Sequence, residues 1–254
     1  MFSKLLTARD PETGELLSNK QLWAESNLLI IAGSDTASTA LAATLFYLSR
    51  SPKAYARVAN EVRGAFPDPE TVKQGPQLAS CAYLRACLQE ALRLSSSASG
   101  AMWREVLLGG LRIQAEDGDS NQAGKVEVPA GLEVGTGIFS LNHSAHCFRD
   151  PLAYRPERWM AGEAAPDELA RARAAFATFS IGPRNCVSKG LAMVEMAVAM
   201  AAVVARYDFR APPGEGGLAA VGEYSEGRLR GHFRTKWAFT SEKDGPWLQF
   251  KRFV

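Results

Sequence analysis

A surplus of one charge is what this chain most plainly lacks. Its 254 residues carry 29 Lys and Arg against 27 Asp and Glu, a formal net charge of +2. No basic run interleaved with aromatics occurs, so no nucleic-acid partner is expected. Histidine and cysteine are scarce too, at 3 and 4. Cys81, Cys87, Cys147 and Cys186 follow no secretory-signal pattern, and four thiols in so long a chain do not make a disulfide-stapled scaffold. An intracellular, reduced protein is expected. No internal repeat is present.

What is there suits a globular protein with one large or two small domains: 46% apolar and 22% charged residues. Periodicity and stop signals predict four helices. The first runs from the N-cap Ser18 to about Arg50, before Pro52. The others cover about 52–65, 80–94 and 188–206. Between the third and fourth, "WREVLLGGLRI" and "KVEVPAGLEVGTGIF" predict short hairpins turned at Gly109-Gly110 and Pro129-Ala130-Gly131. The tail from "YDFR" to "GPWLQFKRF" alternates and predicts further short strands. Residues 116–125 and 161–175 read as solvated insertions. The expected class is mainly α with small β-sheets.

Residues 28–48 form a 21-residue stretch with a single charge, Asp35, long enough to cross a membrane. A mid-helix carboxylate with four Ser and Thr nearby argues instead for a buried core helix. Within it, "AGSDT" (Ala32 to Thr36) places Gly33 and small neighbours beside a polar pair, and Thr36 is expected to bond back to the carbonyl one turn earlier and bend the helix. That pattern fits a cavity beside a proton relay. It also fits a helix crossing with Asp35 satisfied by a neighbour.

Glu90 and Arg93 in "EALR" share a helix face, and Arg158 in "YRPERW" offers a second guanidinium for the same carboxylate. In "HSAHC", His143, His146 and Cys147 lack a fourth ligand at metal-site spacing, so they are read as structural. "FSIGPRNC" places Cys186 in a glycine-turned loop at the start of an apolar helix. Free N–H groups and the helix dipole there favour a thiolate, the form that binds metal. Arg184, two residues earlier, can meet a carboxylate. A lone thiolate without nearby co-ligands suits an axial site on haem better than zinc or an iron–sulfur cluster.

Four motifs now resemble one family. "FSIGPRNC" resembles the haem-binding loop of the cytochromes P-450, Phe-x-x-Gly-x-Arg-x-Cys-x-Gly, through Phe179, Gly182, Arg184 and Cys186. "AGSDT", "EALR" and "YRPERW" resemble the family's oxygen-activation, Glu-x-x-Arg and Pro-Glu-Arg motifs, in the family's order. The resemblance runs from about Ser18 to the C-terminus and is of the fungal type.

The resemblance implies the C-terminal half of the P-450 fold and a haem-thiolate monooxygenase acting on a small apolar metabolite, plausible for fungal secondary metabolism. It implies an NADPH-dependent cytochrome P-450 reductase as partner. Cys186 is then the iron ligand, Arg184 and Arg104 (in "WREV") contact haem propionates, and Asp35 and Thr36 are the catalytic pair managing protons. Glu90, Arg93 and Arg158 become a buried structural triad. Residues 96–102 and 227–232 would line the substrate pocket. A P-450-type isomerase or dehydratase is disfavoured by the intact Asp35-Thr36 pair. A catalytically inactive fragment or binding module is the remaining alternative.

Two departures stand out. Ser188 replaces the motif's final glycine, which is expected to weaken haem binding. The family's N-terminal half, with its membrane anchor and the helices roofing the pocket, is expected upstream of these 254 residues, the full-length protein being anchored at the endoplasmic reticulum. Residues 1–254 are read as a single partial domain.

Overall fold

The computed structural model describes residues 2–113, 125–214, 231–237 and 240–253. Its helices are α1 (Phe2–Leu5), α2 (Asn19–Arg50), α3 (Pro52–Ala65), α4 (Pro76–Ser80), α5 (Ala82–Leu94), α6 (Ile138–Asn142), α7 (Pro166–Ala175) and α8 (Lys189–Arg206). Its strands are β1 (Ala101–Glu105), β2 (Leu111–Ile113), β3 (Val126–Val128), β4 (Glu133–Gly137), β5 (Tyr207–Arg210), β6 (Thr235–Trp237), β7 (Ser241–Lys243) and β8 (Gln249–Arg252).

The starts of the helices follow local chemistry. Ser18 and Gln21 form a reciprocal capping box at α2, with Gln21 N donating to Ser18 Oγ at 3.3 Å and Ser18 N to Gln21 Oε1 at 2.9 Å. Ser51 closes α2, and Pro52 opens α3 at a position where its missing N–H costs nothing. The core forms where α2, α3, α5 and α8 meet, around Leu48, Val58, Val62, Leu84, Leu88, Met200 and Val204. A smaller aromatic cluster joins Phe46, Tyr47 and Phe233.

The strands pair differently from the sequence expectation. β1 pairs with β4 and β2 with β3, all antiparallel, so the four strands make nested arms rather than two consecutive hairpins. The turn at Gly109-Gly110 lies between β1 and β2 and the turn at Gly131 between β3 and β4, each bending one arm of a longer ribbon. Within it, Gly135 faces Trp103, and a Cβ at Gly135 would sit 2.9 Å from the indole. β5 pairs with β8, and β6 with β7.

The reading of 161–175 as a solvated insertion is corrected. Pro166 opens α7 with Asp167 and Glu168 in its first turn, and Leu169 and Ala172 are buried. Ala172 packs with Ala86, Phe148 and Trp159. Most of 116–125, and residues 227–230, lie outside the described residues.

The buried-helix reading of 28–48 holds for only part of α2. Buried positions begin at Thr39 and continue through Leu48. Leu28 is 59% and Ile31 68% exposed. The core elements α3, α5 and α8 cover only the C-terminal half of this helix.

Candidate functional site

Glu90 is fully buried beside two buried guanidiniums. Arg93 Nη2 and Nε lie 2.9 and 3.0 Å from its two carboxylate oxygens, and Arg158 Nε reaches Oε1 at 3.0 Å. Trp159 Nε1 donates to Oε2 at 2.9 Å and the Arg155 N–H to Oε1 at 3.0 Å. The guanidiniums spend their remaining donors on backbone: Arg93 on the carbonyls of Asn142, Pro151 and Ala153, Arg158 on those of Arg149 and Asp150. Burial alone would push the Glu90 carboxyl up, but Arg93 and Arg158 outweigh it and hold it below its ordinary range. This node is anchored by α5 and ties the 138–159 loop to the core.

The Asp35-Thr36 pair sits where α2 leaves the core. Thr36 Oγ1 donates to Ala32 O at 2.6 Å, the back-bond expected from the sequence. The Thr36 carbonyl accepts a second donor from outside the helix, Ser97 Oγ at 2.7 Å. A Cβ built on Gly33 meets no atom within 4 Å, so the helix here borders open space. Asp35 Oδ1 pairs with Lys243 Nζ at 3.3 Å. The hydroxyl of Thr240 first, then Lys243, holds the Asp35 carboxyl below its ordinary range.

The cysteine loop is closed by the Cys186 N–H, which donates to Phe179 O at 2.8 Å. Gly182 has φ +78°, a left-handed conformation that L side chains resist, and residues 182–184 form one 3-10 turn. The Phe179 ring is half-buried against the core, and Phe176 meets it edge-on. Cys186 itself is exposed, between Ile181 at 65% and Val187 at 92% exposure. The sequence placed Cys186 at the helix start; the helix begins three residues later, at Lys189, with Ser188 as N-cap and no side-chain capping bond.

Arg184 is exposed and has no hydrogen-bond or ion-pair partner among the described residues. Arg104, on β1, is exposed, and its guanidinium donates to Trp103 O at 2.7 Å. The structure thus brings Glu90, Arg93 and Arg158 into one contact set and Phe179, Gly182 and Cys186 into one loop. It draws no contact between Arg104 or Arg184 and either group.

Sequence reasoning missed Asn142, which is fully buried and joins three of these parts. Its Nδ2 reaches Ser96 Oγ at 2.9 Å and Thr178 Oγ1 at 3.2 Å, and its carbonyl receives Arg93 at 2.5 Å. Ser96 precedes the serine that holds Thr36, and Thr178 precedes Phe179, so the segment 95–97 links α2 to the cysteine loop. It missed Lys243 as well. Next to Asn142, the His143 ring stacks on Phe139 at 4.1 Å, and burial pushes its imidazole down to about 4. Nearby lies a cleft of about 580 Å³ whose walls include Ser96, Trp103, Phe139, His232 and Phe233.

The family model of cytochrome P450 (hereafter P-450) matches residues 1–220. The chain belongs to the cytochrome P-450 family. It is 53% identical over 252 residues to the cytochrome P-450 monooxygenase apf7 of Gibberella fujikuroi, covering 99% of this chain and 46% of that protein. It is 41% identical to the cytochrome P-450 monooxygenase AKT7 of Alternaria alternata, covering 99% of this chain and 48% of that protein. A solved cytochrome P-450 haem domain superposes with a TM-score of 0.74 at 23% identity, over 98% of this chain and 48% of its own. The chain therefore spans about half the length of these relatives. P-450 proteins are haem proteins, and the fold seen here, helical with small antiparallel sheets, is part of theirs.

Proposed function

We propose that this chain is the haem-thiolate half of a monooxygenase that inserts one oxygen atom of O2 into a small apolar metabolite. The observation that carries this is the cysteine loop: an exposed thiol on a residue whose backbone N–H is held by the Phe179 carbonyl beyond the Gly182 turn, between two exposed apolar side chains. A soft donor, an apolar surround and a cation at Arg184 without a partner among the described residues fit the chemistry of an iron porphyrin with its propionates. Cys186 would supply the sulfur ligand, and Arg184 and Arg104 would take the propionates. Haem ligated by thiolate supplies an oxidant able to attack C–H bonds.

The chain's own residues do the rest. Closing the Cys186 N–H onto Phe179 O fixes where the sulfur points. The exposed face of α2 beside Gly33 offers room for substrate and dioxygen, and Asp35 and Thr36 at its end hold and pass protons. The serines and aromatic rings around the 580 Å³ cleft are the candidate substrate wall. The electrons come from an NADPH-dependent reductase, the full-length protein is held at the endoplasmic reticulum membrane, and residues 1–254 are one haem-binding part of a larger domain. The fungal relatives are named monooxygenases, which supports the reaction class, and a place in secondary metabolism is part of the proposal.

The test is expression of the full-length gene with a fungal reductase under 18O2. One labelled atom should enter a metabolite absent from control extracts, and only when NADPH is supplied. A product formed without labelled oxygen would mark an isomerase or dehydratase instead.

A further inference from the structure

The Asp35–Lys243 ion pair is poorly placed to stabilise the fold. Its side chains are 43% and 23% exposed, and pairs so open to water contribute little. Its geometry is nonetheless strongly constrained. Ser241, two residues before Lys243, is buried; its N–H donates to Ser97 O at 2.7 Å and its Oγ to Ser96 O at 3.1 Å. Ser97 in turn donates to the Thr36 carbonyl. The contacts close a ring: Thr36 to Ser97, Ser97 to Ser241, then along β7 to Lys243 and back to Asp35. Just before β6, Phe233 is buried against Phe46 with ring centroids 5.2 Å apart, fixing the same hairpin to α2 three turns further on.

We propose that Lys243 is a positioning residue for Asp35, and that the β6–β7 hairpin orients the proton-handling stretch of α2. This rests on the reading of Asp35 and Thr36 given above. No other charged group competes for Asp35 among the described residues. On the hairpin and beside it, Lys236 pairs with Glu242 and Arg234 with Asp244. On the elements packed against α2, Glu90 and Arg93 hold each other, Arg57 holds Glu163, Arg63 holds Asp208 and Arg206 holds Glu70. Glu195 and Lys189 of α8 make no ion pair with it.

The experiment uses the full-length haem protein with Lys243→Met, Lys243→Arg, Asp35→Asn and the double variant. The readout is peroxide released per NADPH consumed. Lys243→Met should raise that ratio about threefold to tenfold and Lys243→Arg should restore most of the loss. In the Asp35→Asn background Lys243→Met should add nothing, because it acts through that carboxylate. Melting without substrate or reductase gives a second readout. Lys243→Met should lower the melting temperature only slightly, and that small drop should be present above the ordinary Asp value of 3.8 and fade as pH falls below it, since Thr240 and Lys243 depress the native carboxyl. An unchanged ratio in Lys243→Met, or an equal rise in both backgrounds, overturns the proposal while leaving Asp35's own role standing. An unchanged ratio in Asp35→Asn overturns the proton-handling reading, and this proposal with it.

Discussion

The Glu90 node and the Cys186 loop lie at opposite ends of one spectrum. At the node, three charged side chains are fully buried, and the carboxylate receives donors from both arginines, an indole and a backbone N–H. At the loop, the thiol and the side chains of Ile181 and Val187 are exposed, as are Leu28 and Ile31 on α2. On the function proposed above, the difference separates scaffold from working surface. A buried ion cluster persists only when every partner is in place, since an orphaned charge in the interior costs far more than a complete pair returns. A ligand-binding face is built the other way, with groups held in position by backbone and left available.

The comparison breaks most sharply at Glu90. Glu90→Ala should leave Arg93 buried without a counter-charge and Arg158 with only Glu168, 3.8 Å from its Nη1, and cost about 3–5 kcal/mol in chemical denaturation. The equivalent truncation at the loop, Cys186→Ala, should change the stability of the haem-free protein by less than about 0.5 kcal/mol.

His143 sharpens the same contrast in pH. Burial lowers its folded value from 6.5 to about 4, so the unfolded chain takes up the proton first. Stability from this group is complete above 6.5 and lost as pH falls toward 4. His143→Asn should flatten the pH profile of unfolding free energy in that window, by up to about 1.4 kcal/mol per pH unit of slope, read by chemical denaturation. His232, with its rings 5.8 Å away and also pushed down by burial, keeps part of the dependence.

Ser188 gives the smallest effect. Its hydroxyl caps nothing, and glycine is nearly as good at a helix N-cap. Ser188→Gly should leave stability within about 0.5 kcal/mol while tightening haem retention in the full-length protein, read by the rate of haem transfer to apomyoglobin.

Legibility in the sequence followed the range of each interaction. The capping box at Ser18, the stop at Pro52 and the back-bond of Thr36 depend on residues within four positions, and each could be read directly. The pairing of Glu90, Arg93 and Arg158 was legible because its motifs are short and charged. The nested pairing of β1 to β4 was not, since Gly109-Gly110 marks a turn equally well whether it joins paired strands or bends one arm. Pro166, at the first position of α7, could have signalled a helix, but the alanines and arginines after it read as a solvated insertion and hid the buried face. Asn142 and Lys243 carried no local signal at all, because their partners lie 36 to 208 residues away in the chain.

The most direct test of the account is the carbon monoxide spectrum of the reduced full-length protein with each cysteine replaced by alanine in turn. Cys186→Ala should abolish the red-shifted band of thiolate ligation, while Cys81→Ala, Cys87→Ala and Cys147→Ala keep it. Loss of the band in any of those three variants, with Cys186→Ala retaining it, would contradict the assignment of the open loop as the haem face.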